Sequence, residues 1–333
     1  MTTLRLCHDK QIWNDYVLEN GGHPLQLWGW GDVKSVHGWK AERLFLYDQV
    51  DDKDDKVVGA VQILVRRLAW PMKSLSYVPR GPVIDEQNRE ALLLALSEYV
   101  KRVHHSVTLS IEPDDLEYDT PKGWKKSKNH ILPAETIILD LTKSDPDLLN
   151  DMAKKTRQYI RKSTGEVGSI EKVRSKADLD KCLAIYRATS KRAKFNIHDD
   201  RYYYDVFSKM ADYSQTFATY FDDEPVAFLW LAISADVAFE LYGGMNEKGQ
   251  ELRANYALKW YAIRKCKEWG LLRYDFGGLI DGGVSTFKKG WTETETVLAG
   301  TFDKPLSIFY GLYSSVMPMA KHFKQSFKGL FKP

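Results

Sequence analysis

The stretch TFATYFDDEPVAFLWLAISADVAFELYGGM (residues 216–245) decides the fold. Its β-branched and aromatic residues run in two segments broken by a pair of aspartates, then in a third that ends at Gly243 and Gly244. Such runs, bounded by turn residues, predict three strands. A helix is predicted over residues 253–269, and LRYDFGG (272–278) predicts a fourth strand. The first half of the chain carries the same order. RLFLYD (43–48) and VVGAVQILV (57–65) flank an acidic turn, SLSYVPRGPV (74–83) ends in a Gly-containing corner, a helix is predicted over 86–104, and VTLSIEP (107–113) follows. Val58 aligns with Val226 and Tyr77 with Tyr242. Two copies of one α/β (α+β) unit, each the size of a small domain, follow from this. The joint is expected at 141–147, where TIILDL (136–141) gives way to Thr-Lys-Ser-Asp-Pro; Ser144 or Asp145 can cap the next helix and Pro146 suits its first turn.

The bulk properties agree. A chain of 333 residues suits two domains, and with 44% apolar and 28% charged residues it is globular. No stretch reaches the roughly 18–20 apolar residues of a membrane span. The start, MTTLRLCHDKQIW, has no apolar signal core, so a cytoplasmic protein is expected. Cys7, Cys182 and Cys266 form no C-x-x-C pair, and the histidines show no metal-ligand spacing, so no metal is expected. A net charge of +3 does not mark a nucleic-acid binder by itself, though it permits a local basic patch.

Antiparallel strands followed by a helix and another strand are similar to the GNAT acyltransferase unit. In that unit a loop of the type Q/R-x-x-G-x-G/A precedes the helix and holds the coenzyme A pyrophosphate on backbone N–H groups. The equivalent stretches here, RGPVIDEQNRE and GGMNEKGQELRANY, do not match, so another acyl donor is expected and no cofactor.

Six motifs in order carry a closer resemblance: LQLWGWGDVKSVHGW (25–39), YVPRGPV (77–83), LLNDMAKKTRQYIRKS (148–163), YGGM with ANYAL (242–245 and 254–258), YDFGG (274–278) and FKKGW (287–291). Over nearly the whole chain the sequence resembles the Fem family, in the smaller type without a coiled-coil arm. The resemblance implies two tandem GNAT-like domains, 1–143 joined by the returning 304–333, and 144–303. It implies transfer of an amino acid from aminoacyl-tRNA to the stem-peptide amine of UDP-MurNAc-pentapeptide or lipid II, by a protein expected to be monomeric. Two other readings stand beside it: a coenzyme A-dependent N-acyltransferase, and an inactive binding homologue.

The resemblance also assigns residues. Lys34, with Trp30 in the matching segment, falls on the position that binds the acceptor's diphosphate, where an ammonium suits phosphate. The family's R-x-x-x-Y places His198 where an arginine is expected and Tyr202 on the tyrosine; Arg201, on the same predicted helical face, could take the arginine's task. Tyr242 and Tyr256 match tyrosines lining the acceptor channel. Phe287 and Lys288 fall on the family's F-K pair at the aminoacyl end of the tRNA, with Lys289 able to share the charge. Glu112 fills a position where the family often has an acid. The segment with Lys154, Lys155, Arg157, Arg161 and Lys162 forms a basic helix fit for a tRNA acceptor arm, with Leu149, Met152, Thr156 and Ile160 as its packed stripe. The tail 306–333 mixes aromatic residues with Lys321, Lys324, Lys328 and Lys332. Its first part is expected to pack on domain 1, and membrane contact is expected from Phe323 onward.

Overall fold

The computed structural model describes residues 2–49, 55–279 and 283–316. The chain divides into two compact units, one of residues 1–20, 25–134 and 297–333, the other of residues 21–24 and 135–296.

In the first unit the strands lie in the order Thr2–Leu6, Lys40–Gln49, Asp55–Arg67, Ser74–Pro79, Ser106–Glu112, Phe302–Pro305 and Lys125–Lys126, with Val83–Ile84 paired to Asp55–Arg67. Ser74–Pro79 and Ser106–Glu112 are parallel, and the helix Glu86–Val103 supplies the crossover that parallel neighbours need. Leu92, Leu93, Leu96 and Val100 recur at helical spacing and are buried against Leu44, Leu46, Val61, Ile63 and Ile111 of the sheet. On the opposite face of the strand Lys40–Gln49, Phe45 meets Trp13 at 5.1 Å between ring centres.

The second unit repeats the arrangement. Its sheet runs Ser169–Lys172, Ser214–Phe221, Glu224–Ile233, Val237–Met245, Arg273–Asp275 and Ile138–Asp140. Val237–Met245 and Arg273–Asp275 are parallel and joined through the helix Ala254–Glu268. Leu258, Ala262, Ile263 and Cys266 of that helix pack on Leu229, Leu231 and Ala238. Asp222 and Asp223 both have positive φ (51° and 60°), so the acidic turn is a two-residue hairpin loop of the primed kind whose twist suits the strands. The corresponding aspartates of the first unit lie outside the described residues.

The aligned valines do the same job in both units. Leu46 pairs with Gly59 and Tyr47 with Val57, which leaves Val58 as the extra residue of a bulge. Thr219 pairs with Ala227 and Tyr220 with Pro225, which leaves Val226 as the extra residue in the second copy. The fold is therefore two tandem GNAT-like units.

The division falls at 134/135 and 296/297. The strand Ile138–Asp140 satisfies its backbone against Arg273–Asp275, in the second sheet. The chain after residue 297 goes back to the first sheet, where Phe302–Pro305 lies between Ser106–Glu112 and Lys125–Lys126. Ser144 caps the helix Asp145–Asp151, accepting from Asp147 N at 3.3 Å. Residues 310–316 are helical, and Tyr313 is buried with Leu75 and Val107 of the first unit. Phe323 and the tail lysines lie outside the described residues.

Candidate functional site

In the first unit, Lys34 stands in the last turn of the short helix Trp28–Ser35, its ammonium 4.3 Å from the centre of the buried Trp30 ring. A buried polar network seats this helix. Gln62 donates to the carbonyls of Leu25 and Leu27 (both 3.1 Å) and accepts from Arg43 Nε at 2.9 Å. Arg43 also donates to Trp28 O (2.7 Å) and Asp32 (2.8 Å). Gly31 is what allows the close approach: a Cβ there would meet Gln62 Oε1 at 2.3 Å. The cation is thus presented from a fixed seat.

Glu112 stands at the end of the strand Ser106–Glu112. It is buried, and its carboxylate accepts from Ile131 N (2.7 Å), Leu132 N (3.1 Å), Thr301 Oγ1 (2.8 Å) and the Tyr77 hydroxyl. These bonds tie residues 131–132 and 301 onto the sheet.

In the second unit, Tyr242 is half-buried in an aromatic cluster, 5.0 Å from Tyr203 and 5.6 Å from Trp230. Its hydroxyl lies 3.4 Å from that of Tyr202, and His198 stacks on the Tyr202 ring at 3.8 Å. Burial, with the neighbouring tyrosines, pushes the Tyr242 phenol well up. His198, Tyr202 and Tyr242 are therefore brought together, while Arg201 is exposed on the first turn of Asp200–Lys209.

Tyr256 and Phe287 meet edge to face at 4.9 Å, beside Trp291. The strand Arg273–Asp275 leads into Gly277 and Gly278, both at positive φ, and a Cβ on Gly277 would strike Glu240 O at 2.3 Å. The Lys288 ammonium binds the carbonyls that flank this turn, Phe276 O and Gly278 O, the second at 2.7 Å. Burial lowers the Lys288 pKa, opposed by the charges of Glu240 and Asp275. Lys289 is turned to Glu295 at 2.7 Å on the surface, so it does not share the position of Lys288.

Sequence reasoning missed a second lysine. Lys259 is buried, with its ammonium 2.5 Å from Glu240, 4.1 Å from the centre of the Phe276 ring and 5.1 Å from that of Phe287. Tyr274 donates to the same carboxylate oxygen at 2.7 Å. Burial brings the Lys259 pKa down to about 8, against the pull of Glu240 and with the Lys288 charge adding to the fall. The available signal was its position: Lys259 shares a helical stripe with Ala262, Ile263 and Cys266.

The basic segment is divided. The helix runs Lys154–Glu166 and buries Thr156, Ile160 and Ser163, while Lys154, Lys155, Arg161 and Lys162 are exposed. Leu149 and Met152 belong to the preceding helix and its cap. Arg157 turns back, donating to the carbonyls of Leu149 (3.1 Å), Asn150 (3.3 Å) and Met152 (2.6 Å). It closes the end of that helix and is not part of the outward charge.

Comparison with known proteins fits this architecture. Residues 150–289 match the family model described as an acetyltransferase (GNAT) domain. A solved structure titled FemX superposes with a TM-score of 0.80 at 20% identity, over 93% of this chain and all of that one. A tandem GNAT protein from the clavulanic acid biosynthesis pathway does so with a TM-score of 0.54 at 11% identity, over 92% and 99%. The chain is a tandem GNAT-fold protein. The "Lipid II:glycine glycyltransferase" of Staphylococcus aureus (strain USA300) is 26% identical over 264 residues, 74% of this chain and 58% of that protein. The chain thus spans a little over half the length of that relative.

Proposed function

We propose that this protein is an aminoacyltransferase that moves an amino acid from aminoacyl-tRNA onto the stem-peptide amine of a peptidoglycan precursor, lipid II or UDP-MurNAc-pentapeptide. The observation that carries the reading is the Lys288 ammonium: it is held by two carbonyls at the end of YDFGG and has a third N–H beyond those two bonds. The relative named as a lipid II:glycine glycyltransferase supports the substrate class.

The chemistry asks little else of the protein. The aminoacyl ester is already activated, so the acceptor amine attacks its carbonyl carbon directly. The carbonyl oxygen gains negative charge, which a cation such as Lys288 stabilises. On collapse the ribose oxygen leaves, the amide forms, and the proton lost by the amine ends on the ribose hydroxyl. Positioning the amine within about 3–3.5 Å of the ester supplies much of the remaining acceleration. Lys34, on its rigid helix, binds the diphosphate of the acceptor.

The test is transfer from charged tRNA to each acceptor, with acetyl-CoA as the competing donor. Acyl transfer from acetyl-CoA at comparable rates, with none from charged tRNA, refutes the donor assignment. For the acceptor, Lys34→Met is expected to weaken UDP-MurNAc-pentapeptide binding by about 10- to 100-fold, the loss of one charged hydrogen bond. An unchanged dissociation constant by calorimetry removes Lys34 from the site.

A further inference from the structure

We infer that the tip of the hairpin between Asp55–Arg67 and Ser74–Pro79, together with residues 306–316, is a docking surface for an anionic lipid bilayer. This goes beyond the proposed reaction and does not depend on it. It is also distinct from the tail beyond residue 316.

The hairpin is closed by Leu68 N donating to Lys73 O at 2.8 Å and Met72 N to Ala69 O at 3.0 Å. Trp70 at its tip is 89% exposed. The tip is anchored from below: Leu68 and Met72 share one apolar cluster with Trp39, Phe309, Tyr310 and the buried Leu75, Val107 and Tyr313. That cluster ties the hairpin to the segment carrying Ile308, which is 93% exposed, and Leu312 and Val316, exposed and four residues apart along the helical run. A folded protein rarely leaves a tryptophan and an isoleucine so bare beside each other's supporting cluster without a use for them.

The charge around them has one sign. Arg66, Arg67 and Lys73 are exposed at the same tip. No aspartate or glutamate occurs from residue 56 to 84 or from 304 to 316. On the neighbouring strand Glu42 is buried and paired with Lys40 (2.6 Å) and His104 (2.8 Å), so it does not offset these cations. An amphipathic tryptophan, bare aliphatic side chains and a ring of cations complement an interface where acyl chains begin beneath anionic headgroups. A nucleic acid would meet the cations but leave Ile308, Leu312 and Val316 without apolar cover, which favours lipid. Among the described residues no helix is long and apolar enough to cross a membrane, so contact here is peripheral.

The experiment is co-sedimentation of the full chain with vesicles of phosphatidylglycerol and phosphatidylcholine, compared with phosphatidylcholine alone. The wild type is expected to partition onto the anionic vesicles. Trp70→Ser with Ile308→Ser should reduce that partition at least tenfold, and each of Arg66→Gln, Arg67→Gln and Lys73→Gln should reduce it about fivefold. Melting temperature checks the fold; should the serine variant melt early, the three glutamine variants carry the test. Wild-type partition in both sets of variants, or no partition of the wild type, overturns the proposal. So does equal partition onto neutral vesicles, or loss of charged-tRNA binding in the same variants with vesicle binding intact.

Discussion

Replacing Glu240 by glutamine removes the carboxylate that the Lys259 ammonium touches at 2.5 Å. In the wild type burial holds Lys259 near a pKa of about 8, below the ordinary lysine value of 10.5, which costs about 3 kcal/mol at neutral pH. Without Glu240, keeping the proton would add roughly 3–5 kcal/mol, the penalty of an uncompensated buried charge. Releasing the proton at pH 7 from a group titrating near 8 costs about 1.4 kcal/mol. Release is the smaller cost, so Glu240→Gln should carry a neutral Lys259 at pH 7 and lose about 1.4 kcal/mol of stability there. The sign with pH follows. The unfolded chain keeps the proton up to about 10.5 and the wild-type fold releases it near 8, so wild-type stability is nearly flat below 8 and rises from 8 to 10.5. In the variant the rise starts below pH 7, at about 1.4 kcal/mol per pH unit, and the deficit closes by about pH 9. Lys288, also lowered by burial, acts with the same sign in both proteins. Urea unfolding at pH 7, 8 and 9 reads this directly. A deficit that stays constant from pH 7 to 9, or exceeds about 3 kcal/mol throughout, would show that Lys259 remains charged and the reasoning is wrong.

Lys288→Met is expected to slow single-turnover transfer by about 100- to 1,000-fold, whereas Lys289→Met, which breaks only a surface pair with Glu295, should stay near wild type. Quench-flow with pre-charged tRNA decides; equal effects of the two changes would remove the distinction. Arg157→Ala should lower stability by roughly 1.5–3 kcal/mol through its lost carbonyl contacts and leave tRNA affinity unaltered, measured by urea unfolding and filter binding. Glu112→Gln should likewise destabilise by roughly 1–3 kcal/mol, with kcat per folded molecule unchanged; a selective fall in kcat at full stability would assign it a catalytic role.

The repeat was legible because its signals are local. Paired aspartates fit a primed turn, apolar runs mark strands, and the aligned Val58 and Val226 prove to be equivalent bulge residues. What stayed hidden depends on distant partners. The carboxylate of Glu112 is satisfied by Thr301, 189 positions away, and nothing near it in sequence announces that. Arg157 reads as one more cation in a basic run, yet its side chain reaches back to cap the helix before it. Lys259 breaks an apolar stripe, a visible anomaly whose meaning required Glu240 on another element. The strand at 138–140 was readable as a strand, but which sheet edge it would join was not, because edge pairing is a choice among remote alternatives.

The returning strand Phe302–Pro305 has a consequence for how the chain is made. It lies between Ser106–Glu112 and Lys125–Lys126, and Asp303 accepts hydrogen bonds from Ser110 (2.6 Å) and Ser127 (2.5 Å). During synthesis the N-terminal sheet therefore waits, with an open edge, until residue 305 has left the ribosome. Residues 135–296 emerge completely before that, so the usual order of vectorial folding is inverted: the unit encoded later closes first. A ribosome stalled in between would hold the first unit with Ser106–Glu112 bare, the kind of exposed strand edge that chaperones and aggregation both recognise.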